Sequence, residues 1–138
     1  MADRPFKLEV ITPDRVVLSD KEITSVVLPG ALGYLGVLAN HAPLMTELSV
    51  GELDFRRIDG SRDFMAVSGG FLEVFDNVVT ALAESAEPAG EININRAEQA
   101  AERARGRIEA HDPSLDVDRA AVALKKALNR LSVARHHG

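Results

Sequence analysis

The spacing of apolar residues changes near residue 90 of this 138-residue chain, and no single kind of secondary structure fits both sides of the change. Before it, apolar and polar residues alternate at period two in short runs. After it, apolar residues recur at the three- and four-residue spacing of a helix face. Eight of the ten glycines and five of the six prolines also precede residue 91. We therefore predict a strand domain over 1–89 followed by a helical domain over 90–138.

The charge of the chain divides in the same way. Residues 1–95 carry seven basic and fifteen acidic side chains, a net charge of −8. Residues 96–138 carry nine basic and six acidic ones, a net charge of +3. Opposite charges in adjoining segments indicate that the two domains have different partners.

The first domain contains short alternating runs at the spacing of an antiparallel sandwich or barrel. Gly60 within Asp59-Gly60-Ser61 accepts positive φ, so this segment predicts a hairpin turn, and Asp76-Asn77 predicts a second one. The predicted strands are 6–10, 16–18, 23–28, 53–58, 64–67, 71–75 and 78–82.

The second domain contains two helical stripes, which predict an antiparallel hairpin. Asn95, with Glu98 three residues later, is the expected N-cap of the first helix, and Ser114 or Asp116 that of the second. Because the first stripe is mostly alanine, the two helices can approach closely, but they remove little apolar area from water. The stripes are Ala97, Ala100, Ala101, Ala104 and Ile108, then Val117, Ala120, Ala121, Leu124, Leu128 and Leu131.

Several classes of function are disfavoured by composition. The chain has no cysteine, which excludes disulfides, thiolate metal sites and cysteine nucleophiles. Aromatic residues make up 4% and tryptophan is absent, which argues against a single-stranded nucleic-acid surface. There is no run of 18 apolar residues and no secretory leader, so we expect a soluble, cytoplasmic protein.

No constellation of residues predicts catalysis or metal binding. Ser68-Gly69-Gly70 lacks the glycine pattern of a nucleophile elbow, and the glycines over 30–36 are not followed by Lys-Ser/Thr. The four histidines do not have metal-ligand spacing. We expect no catalytic residue and no metal ligand.

Two features predict partner surfaces. Residues 33–44 form an apolar, glycine-spaced segment that either is a loop covered by a partner or forms an internal strand and turn. The last helix carries no acid after Asp118, and its five cations predict an acidic partner, although placement near a helix C-terminus explains part of the pattern. These cations are Arg119, Lys125, Lys126, Arg130 and Arg135.

Three segments resemble the epsilon subunits of F-type ATP synthases. They are 36–44 (Gly-Val-Leu-Ala-Asn-His-Ala-Pro-Leu), 66–74 (Ala-Val-Ser-Gly-Gly-Phe-Leu-Glu-Val) and 119–133 (Arg-Ala, three further residues, then Leu-Lys-Lys-Ala-Leu-Asn-Arg-Leu-Ser-Val). The resemblance runs from about residue 6 to 134 in the same order. It implies a β-sandwich of about ten strands followed by an α-helical hairpin.

The resemblance also implies a role. It implies a non-catalytic rotor subunit that couples proton flow to ATP synthesis, bound to the cytoplasmic face of the cell membrane only through its complex. The sandwich would bind the gamma subunit and the rotor c ring, with Tyr34, Leu38, Asn40 and His41 as contact residues. The hairpin would extend into the alpha/beta catalytic head and inhibit ATP hydrolysis, its basic helix facing an acidic segment of beta. Tyr34 and Ala39 depart from the acidic residue and the proline that the family often carries.

No cofactor is required, but the resemblance implies regulatory ATP. Some bacterial members bind ATP through Ile-Asp-x-x-Arg-Ala, and residues 92–97 read Ile-Asn-Ile-Asn-Arg-Ala. Asn93 and Lys126 depart from the pattern, and lysine offers a point charge where arginine offers a fork. The alternative is that these cations are solvated or face beta. The nucleotide-binding residues implied are Glu87, Arg96, Ala97, Arg103, Lys126 and Arg130.

Two other functions compete with this one. A free-standing binding module that docks another motor or polymerase is the second interpretation. An enzyme is the third, and the absence of a converging nucleophile, base or metal cluster in the sequence argues against it.

Overall fold

A computed structural model describes residues 4–111, 113–114 and 116–138. The chain divides into two compact units, Met1–Pro88 and Ala89–Gly138, and the predicted boundary lies one residue further along. The first unit contains seven strands in its described part: β1 (Phe6–Ile11), β2 (Val16–Gly30), β3 (Gly33–Val37), β4 (Leu44–Glu47), β5 (Gly51–Arg57), β6 (Arg62–Phe75) and β7 (Val78–Pro88). The second contains a single 3-10 turn (Ala89–Glu91) and the helices α1 (Ile94–Glu109) and α2 (Val117–His137).

The strands form a sandwich whose layers share their long strands. The order is β1-β7-β6-β5-β2-β3, with β4 beside β6, and β1 also pairs with β2. Strand β6 pairs with β5 through its first half and with β4 through its second half. The resemblance implied about ten strands. The structure describes seven, because β2, β6 and β7, of 15, 14 and 11 residues, pass from one layer to the other as single strands.

Two glycines mark the point where β6 changes partners. Gly69 and Gly70 have φ of +64° and +107°, which L side chains rarely adopt. A Cβ at Gly70 would lie 2.0 Å from the carbonyl oxygen of Leu82 on β7. Beside them, the Ser68 and Ser85 hydroxyls share a hydrogen bond across the β6–β7 pair. The bend therefore depends on the missing side chain at residue 70.

The core lies between the layers and explains the alternating sequence. In β1, alternate residues point inward and are buried, namely Phe6, Leu8 and Val10. Other inward side chains belong to neighbouring strands and complete one continuous cluster, which includes Ile23, Leu28, Leu53, Phe55, Val67, Leu72, Val74 and Val79.

Both predicted hairpin turns are confirmed. Asp76 and Asn77 have φ of 50° and 61° between the paired residues Phe75 and Val78, as a two-residue type I′ turn requires. Gly60 has φ of 88°, and the Ser61 N–H donates to Asp59 Oδ1 at 2.8 Å. Of the two interpretations of 33–44, the internal strand fits Gly33–Val37 and Leu44–Glu47, which are β3 and β4.

The helices begin where asparagine and aspartate cap them. Asn93 Oδ1 accepts the Arg96 N–H at 3.0 Å, so the prediction of Asn95 as the cap is wrong, because Asn95 lies inside α1. Asp116, one of the two predicted caps of α2, accepts the Arg119 N–H at 3.0 Å. Both caps satisfy an amide that the helix itself leaves open.

The two helices pack through alanines. Ala97 and Ala101 of α1 contact Ala127 and Leu131 of α2, with Ala100 and Leu124 half-buried beside them. The second stripe predicted from the sequence is wrong at Val117, Ala121 and Leu128, which are exposed, because the buried face of α2 is centred on Ala127 rather than on Leu128.

The glycine bend in β6 yields a matched pair of variants. Gly70→Ala should lower the free energy of unfolding by about 2–4 kcal/mol, since positive φ and the Leu82 carbonyl both oppose a Cβ. Gly36→Ala, where a Cβ meets no atom within 4 Å and φ is not positive, should raise it by up to about 1 kcal/mol. Urea unfolding of the full chain measures both changes. Equal effects of the two substitutions would contradict the close approach of β6 and β7.

Candidate functional site

The outer face of one layer is unusually apolar. The strand registers align three rows of outward residues across β4, β6, β7 and β1. One row contains Glu47, Phe71, Leu82 and Ile11; the middle row contains Met45, Glu73, Thr80 and Glu9; the third contains Phe75, Val78 and Lys7. We call these eleven residues the outer face.

Four large apolar side chains of the outer face are exposed to solvent. Met45 is 70% exposed, Phe75 62%, Phe71 54% and Leu82 51%. Phe71 and Leu82 lie directly opposite one another across the β6–β7 pair. Contiguous apolar surface of this kind marks an interaction site more often than an ordinary solvent face.

Two carboxylates interrupt this apolar surface. Glu47 and Glu73 are exposed, and neither forms an ion pair with any residue that the structure describes. Glu9, at the far edge, is paired with Lys7 at 2.8 Å. The outer face therefore offers hydrocarbon together with two carboxylates available to a cation.

The other layer carries charge of a different kind. On β5 and β6, Arg62 donates to both carboxylate oxygens of Asp54, at 2.9 and 2.5 Å, and its guanidinium lies 4.8 Å from the Phe64 ring centroid. The hydrogen bond to Asp54 raises the pKa of Arg62 above its ordinary value. Asp54 is therefore neutralised within the chain, and its carboxylate is less available to a cation of a partner.

The predicted contact residues lie on β3 and on the connection from β3 to β4. Tyr34 is 61% exposed, but its hydroxyl accepts the Glu52 N–H at 3.0 Å, which ties the ring to β5. Leu38 is 65% exposed immediately after β3. His41 is half-buried, and its Nδ1–H donates to the Ala42 carbonyl at 2.7 Å.

Asn40 shapes this connection through its backbone. Its φ is 60°, and its N–H donates to Asn77 Oδ1 at 2.7 Å, while Asn77 Nδ2–H donates to the Pro5 carbonyl at 3.2 Å. The turn between β6 and β7 thus holds the connection in place. The exposed Leu38 side chain is presented on a fixed backbone rather than on a loose loop.

The cations of α2 occupy more than one side of the helix. Arg119, Lys126 and Arg130 are spaced at seven and four residues and share one face. Arg135 instead donates to Glu98 of α1 at 2.5 Å. The interpretation of all five cations as a single face without internal partners is therefore wrong, because the antiparallel hairpin brings an α1 acid beside Arg135.

The residues implied in nucleotide binding belong to both units. Glu87 lies on β7, whereas Arg96, Ala97 and Arg103 lie on α1 and Lys126 and Arg130 on α2. Ala97 is fully buried in the helix seam, so its side chain is not available to a ligand. Arg96 and Arg103 are exposed and, being seven residues apart, share a face of α1.

An open groove of about 750 Å³ runs along the helical hairpin. Arg103, Arg105 and Arg135 line it, but so do Glu98 and Glu102. The carboxylates repel a polyphosphate, so this groove does not suit one. Arg103 lines this groove, whereas Arg96 lies outside it.

Two further findings hold for the described part of the chain. No group of three or more histidine, aspartate or glutamate side chains there could hold a metal ion. Neither α1 nor α2 combines the length and the apolar character needed to cross a bilayer.

Comparison with models of protein families shows to which family the chain belongs. Residues 5–89 match the model described as ATP synthase, Delta/Epsilon chain, beta-sandwich domain. Residues 91–135 match the model described as ATP synthase, Delta/Epsilon chain, long alpha-helix domain. The chain belongs to the ATP synthase delta/epsilon family. Both domains are present, in the family's order.

Curated relatives agree with this assignment over nearly their full length. The ATP synthase epsilon chain of Moorella thermoacetica is 50% identical over 129 residues, 94% of this chain and 96% of the relative. That of Syntrophomonas wolfei is 44% identical over 131 residues, 95% of each chain. Membership of this family makes the chain a subunit of the ATP synthase complex and not its catalytic subunit.

Solved structures share the fold of this delta/epsilon family member. A chain in the cryo-EM structure of the Euglena gracilis mitochondrial ATP synthase (OSCP/F1/c-ring) has a TM-score of 0.82 at 27% identity, over 96% of this chain and 82% of that one. A chain in the central stalk/c-ring structure of the Tetrahymena thermophila enzyme has a TM-score of 0.61 at 14% identity, which supports the fold alone.

Sequence reasoning missed the outer face. In the run 71–75 (Phe-Leu-Glu-Val-Phe), the inward residues Leu72 and Val74 are apolar. The outward residues at its two ends, Phe71 and Phe75, are apolar as well. A half-buried strand should show polar residues on its solvent side. The two outward phenylalanines were the signal that this side of the sheet is not an ordinary solvent face.

Proposed function

We propose that this delta/epsilon family member is a rotor subunit in the central stalk of a proton-transporting ATP synthase. Its sandwich docks on the gamma subunit and the rotor c ring, as a peripheral subunit at the cytoplasmic face of the cell membrane. Its helical hairpin restrains ATP hydrolysis by the catalytic head. Docking transmits proton-driven rotation to the head, where the chemistry occurs on other subunits.

The observation that supports docking is the outer face. A gamma subunit that covers Met45, Phe71, Phe75 and Leu82 removes them from water, at about 25 cal/mol for each Å² buried. A lysine or arginine on gamma would neutralise Glu47 and Glu73. The connection that bears Tyr34, Leu38, Asn40 and His41 is the proposed contact for the c ring or for an adjoining part of gamma.

The hairpin carries the proposed inhibition through the face of Arg119, Lys126 and Arg130. An extended α2 would bring these cations to the acidic segment of the beta subunit in the alpha/beta head. Exposed ion pairs contribute about 0–1 kcal/mol each, so no single contact decides the outcome. Three together shift a two-state equilibrium by up to about 3 kcal/mol, roughly a hundredfold in population.

ATP is the proposed regulatory ligand of the hairpin. Arg96 and Arg103 of α1 and Lys126 and Arg130 of α2 supply cations for its phosphates. Asn93 caps α1 where the binding motif has aspartate, so this chain lacks one charged hydrogen-bond partner. Because aspartate caps helices as well as asparagine does, the missing group can be restored without loss of the helix start.

Docking is tested by Phe71→Ser combined with Phe75→Ser. Both rings are more than half exposed, so the free energy of unfolding of the full chain should change by less than about 1 kcal/mol. Binding to a purified alpha-beta-gamma head should weaken by about a hundredfold or more, because two buried rings are lost. Calorimetric titration measures the affinity.

Leu38→Asp should likewise weaken assembly of the complex with gamma or the ring. It should leave the fold intact.

The matched control for docking is Ile58→Ser. Ile58 is 53% exposed but follows β5, away from the outer face, so its replacement should leave affinity for the head unchanged. If Ile58→Ser weakens binding as much as the double variant, the outer face is not the docking surface.

Inhibition is tested by deletion of residues 114–138 in the assembled enzyme. ATP hydrolysis should rise because the basic helix is removed, and ATP synthesis should change less. Lys126→Ala with Arg130→Ala should give part of the rise, and a larger part at low salt, where screening is weaker. A chain that ends at Arg135 is the control. Hydrolysis no faster after the deletion would make α2 a passive strut.

Nucleotide binding is tested by calorimetry on the full chain at millimolar ATP. The wild type should bind weakly, Asn93→Asp should lower the dissociation constant several-fold, and Arg103→Ala should raise it. Asn95→Asp, inside α1, is the matched control and should have no effect. Absence of heat with both the wild type and Asn93→Asp would remove ATP from the proposed function.

A further inference from the structure

Strand β4 hydrogen-bonds to a neighbouring strand along one side. It pairs with β6, and among the described residues no strand lies along its other side. The Leu48 N–H donates to the Gly70 carbonyl at 2.8 Å, in the same register as the pairs from Leu44 with Val74 to Glu47 with Phe71. In an antiparallel ladder, alternate residues direct both backbone groups to the same neighbour. Leu44 and Thr46 therefore face β6, as Leu48 does.

Met45 and Glu47 must direct their backbone groups the other way. A second contact supports this assignment, because the Glu47 carbonyl accepts the Ala31 N–H at 3.0 Å from the β2–β3 hairpin, on the side away from β6. That hairpin closes the far end of the edge. The Met45 N–H, the Met45 carbonyl and the Glu47 N–H remain directed to the open side.

This edge lacks most of the usual protection. Natural sheet edges are blunted by shortness, by charged side chains and above all lysine, by an internal proline, or by a bulge that twists them away, and β4 has only its short length and Glu47. The sequence of β4 is Leu-Met-Thr-Glu, and its four residues pair with β6 without a register shift. Beside it lies an open apolar groove of about 430 Å³, lined by Pro43, Leu44, Met45, Glu73, Val74 and Phe75.

We propose that β4 accepts an additional strand from the partner that covers the outer face. The strand lies along residues 43–47 and pairs with the Met45 and Glu47 backbone groups. Its alternate side chains are apolar, to fill the groove beside Met45 and Phe75, and it carries a lysine or arginine opposite Glu47 and Glu73. The identity of this partner as gamma rests on the proposed function, whereas the mode of pairing rests on β4.

Backbone pairing and side-chain docking are separable at Met45. Met45→Pro removes the outward N–H and places the proline ring on the open side, and an edge strand tolerates proline where the N–H faces solvent. Met45→Val alters the side chain but keeps the N–H. For the full chain titrated with the alpha-beta-gamma head, we expect about tenfold or more weaker binding for Met45→Pro and less than about threefold for Met45→Val. Equal affinities of the two variants would overturn the proposal.

A second measurement does not depend on the stability of the proline variant. In the free full chain, the amides of Thr46 and Leu48 should exchange slowly with solvent and those of Met45 and Glu47 rapidly. In the complex with the head, the Met45 and Glu47 amides should become protected. Rapid exchange at both in the complex would show that the face docks through side chains only.

The same titrations distinguish a failure of the proposed function from a failure of strand addition at β4. If the wild-type chain does not bind the head at all, the proposed function fails. If the wild type binds and Met45→Pro binds equally well, gamma docks without an added strand and only the inference about β4 fails.

Discussion

The contact between β6 and β7 at Gly70 is the constraint on which the sandwich depends. A single strand serves both layers only if it bends sharply, and the bend brings the Gly70 Cα against the Leu82 carbonyl with no space for a side chain. On one side of the bend β6 pairs with β5, and on the other side it pairs with β4. Beyond the bend, Phe71, Glu73 and Phe75 point outward as alternate residues of β6, and each contributes to one row of the outer face.

The two layers differ in whether their surface carboxylates are paired with cations of the same chain. On the β5 side, Asp54 is held by Arg62 of the same chain, so that carboxylate is neutralised internally. On the outer face, Glu9 is paired with Lys7, but Glu47 and Glu73 lie among hydrocarbon without cations from the described residues. Exposed hydrocarbon of this kind is poorly suited to water, and the two carboxylates favour a cationic partner over an acidic one. Hydrocarbon thus supplies affinity while the two carboxylates select among apolar surfaces.

Local rules predicted the parts of this structure that depend on local chemistry. Period-two runs located the core strands, and Gly60 and Asn77 located the turns, because each signal acts within a few residues. The face of α2 was misjudged at Leu128, since alanine and leucine fit either of two overlapping stripes and the partner helix decides between them. The pairing of Arg135 with Glu98 joins residues 37 apart, and no spacing rule reports it. The outer face was missed because it belongs to four strands at once, and only their register aligns the rows.

The alanine seam of the helical hairpin has a thermodynamic consequence. Ala97, Ala101 and Ala127 bring two helices together through methyl groups, so their separation would expose little hydrocarbon. The heat-capacity change of a transition scales with the apolar area that it exposes, at about 0.45 cal/K/mol for each Å². Opening of such a hairpin would therefore have an enthalpy that changes little with temperature, and a van't Hoff plot of its equilibrium would be nearly straight. Separation of the two helices would thus lack the curved temperature dependence that accompanies the opening of a larger apolar core.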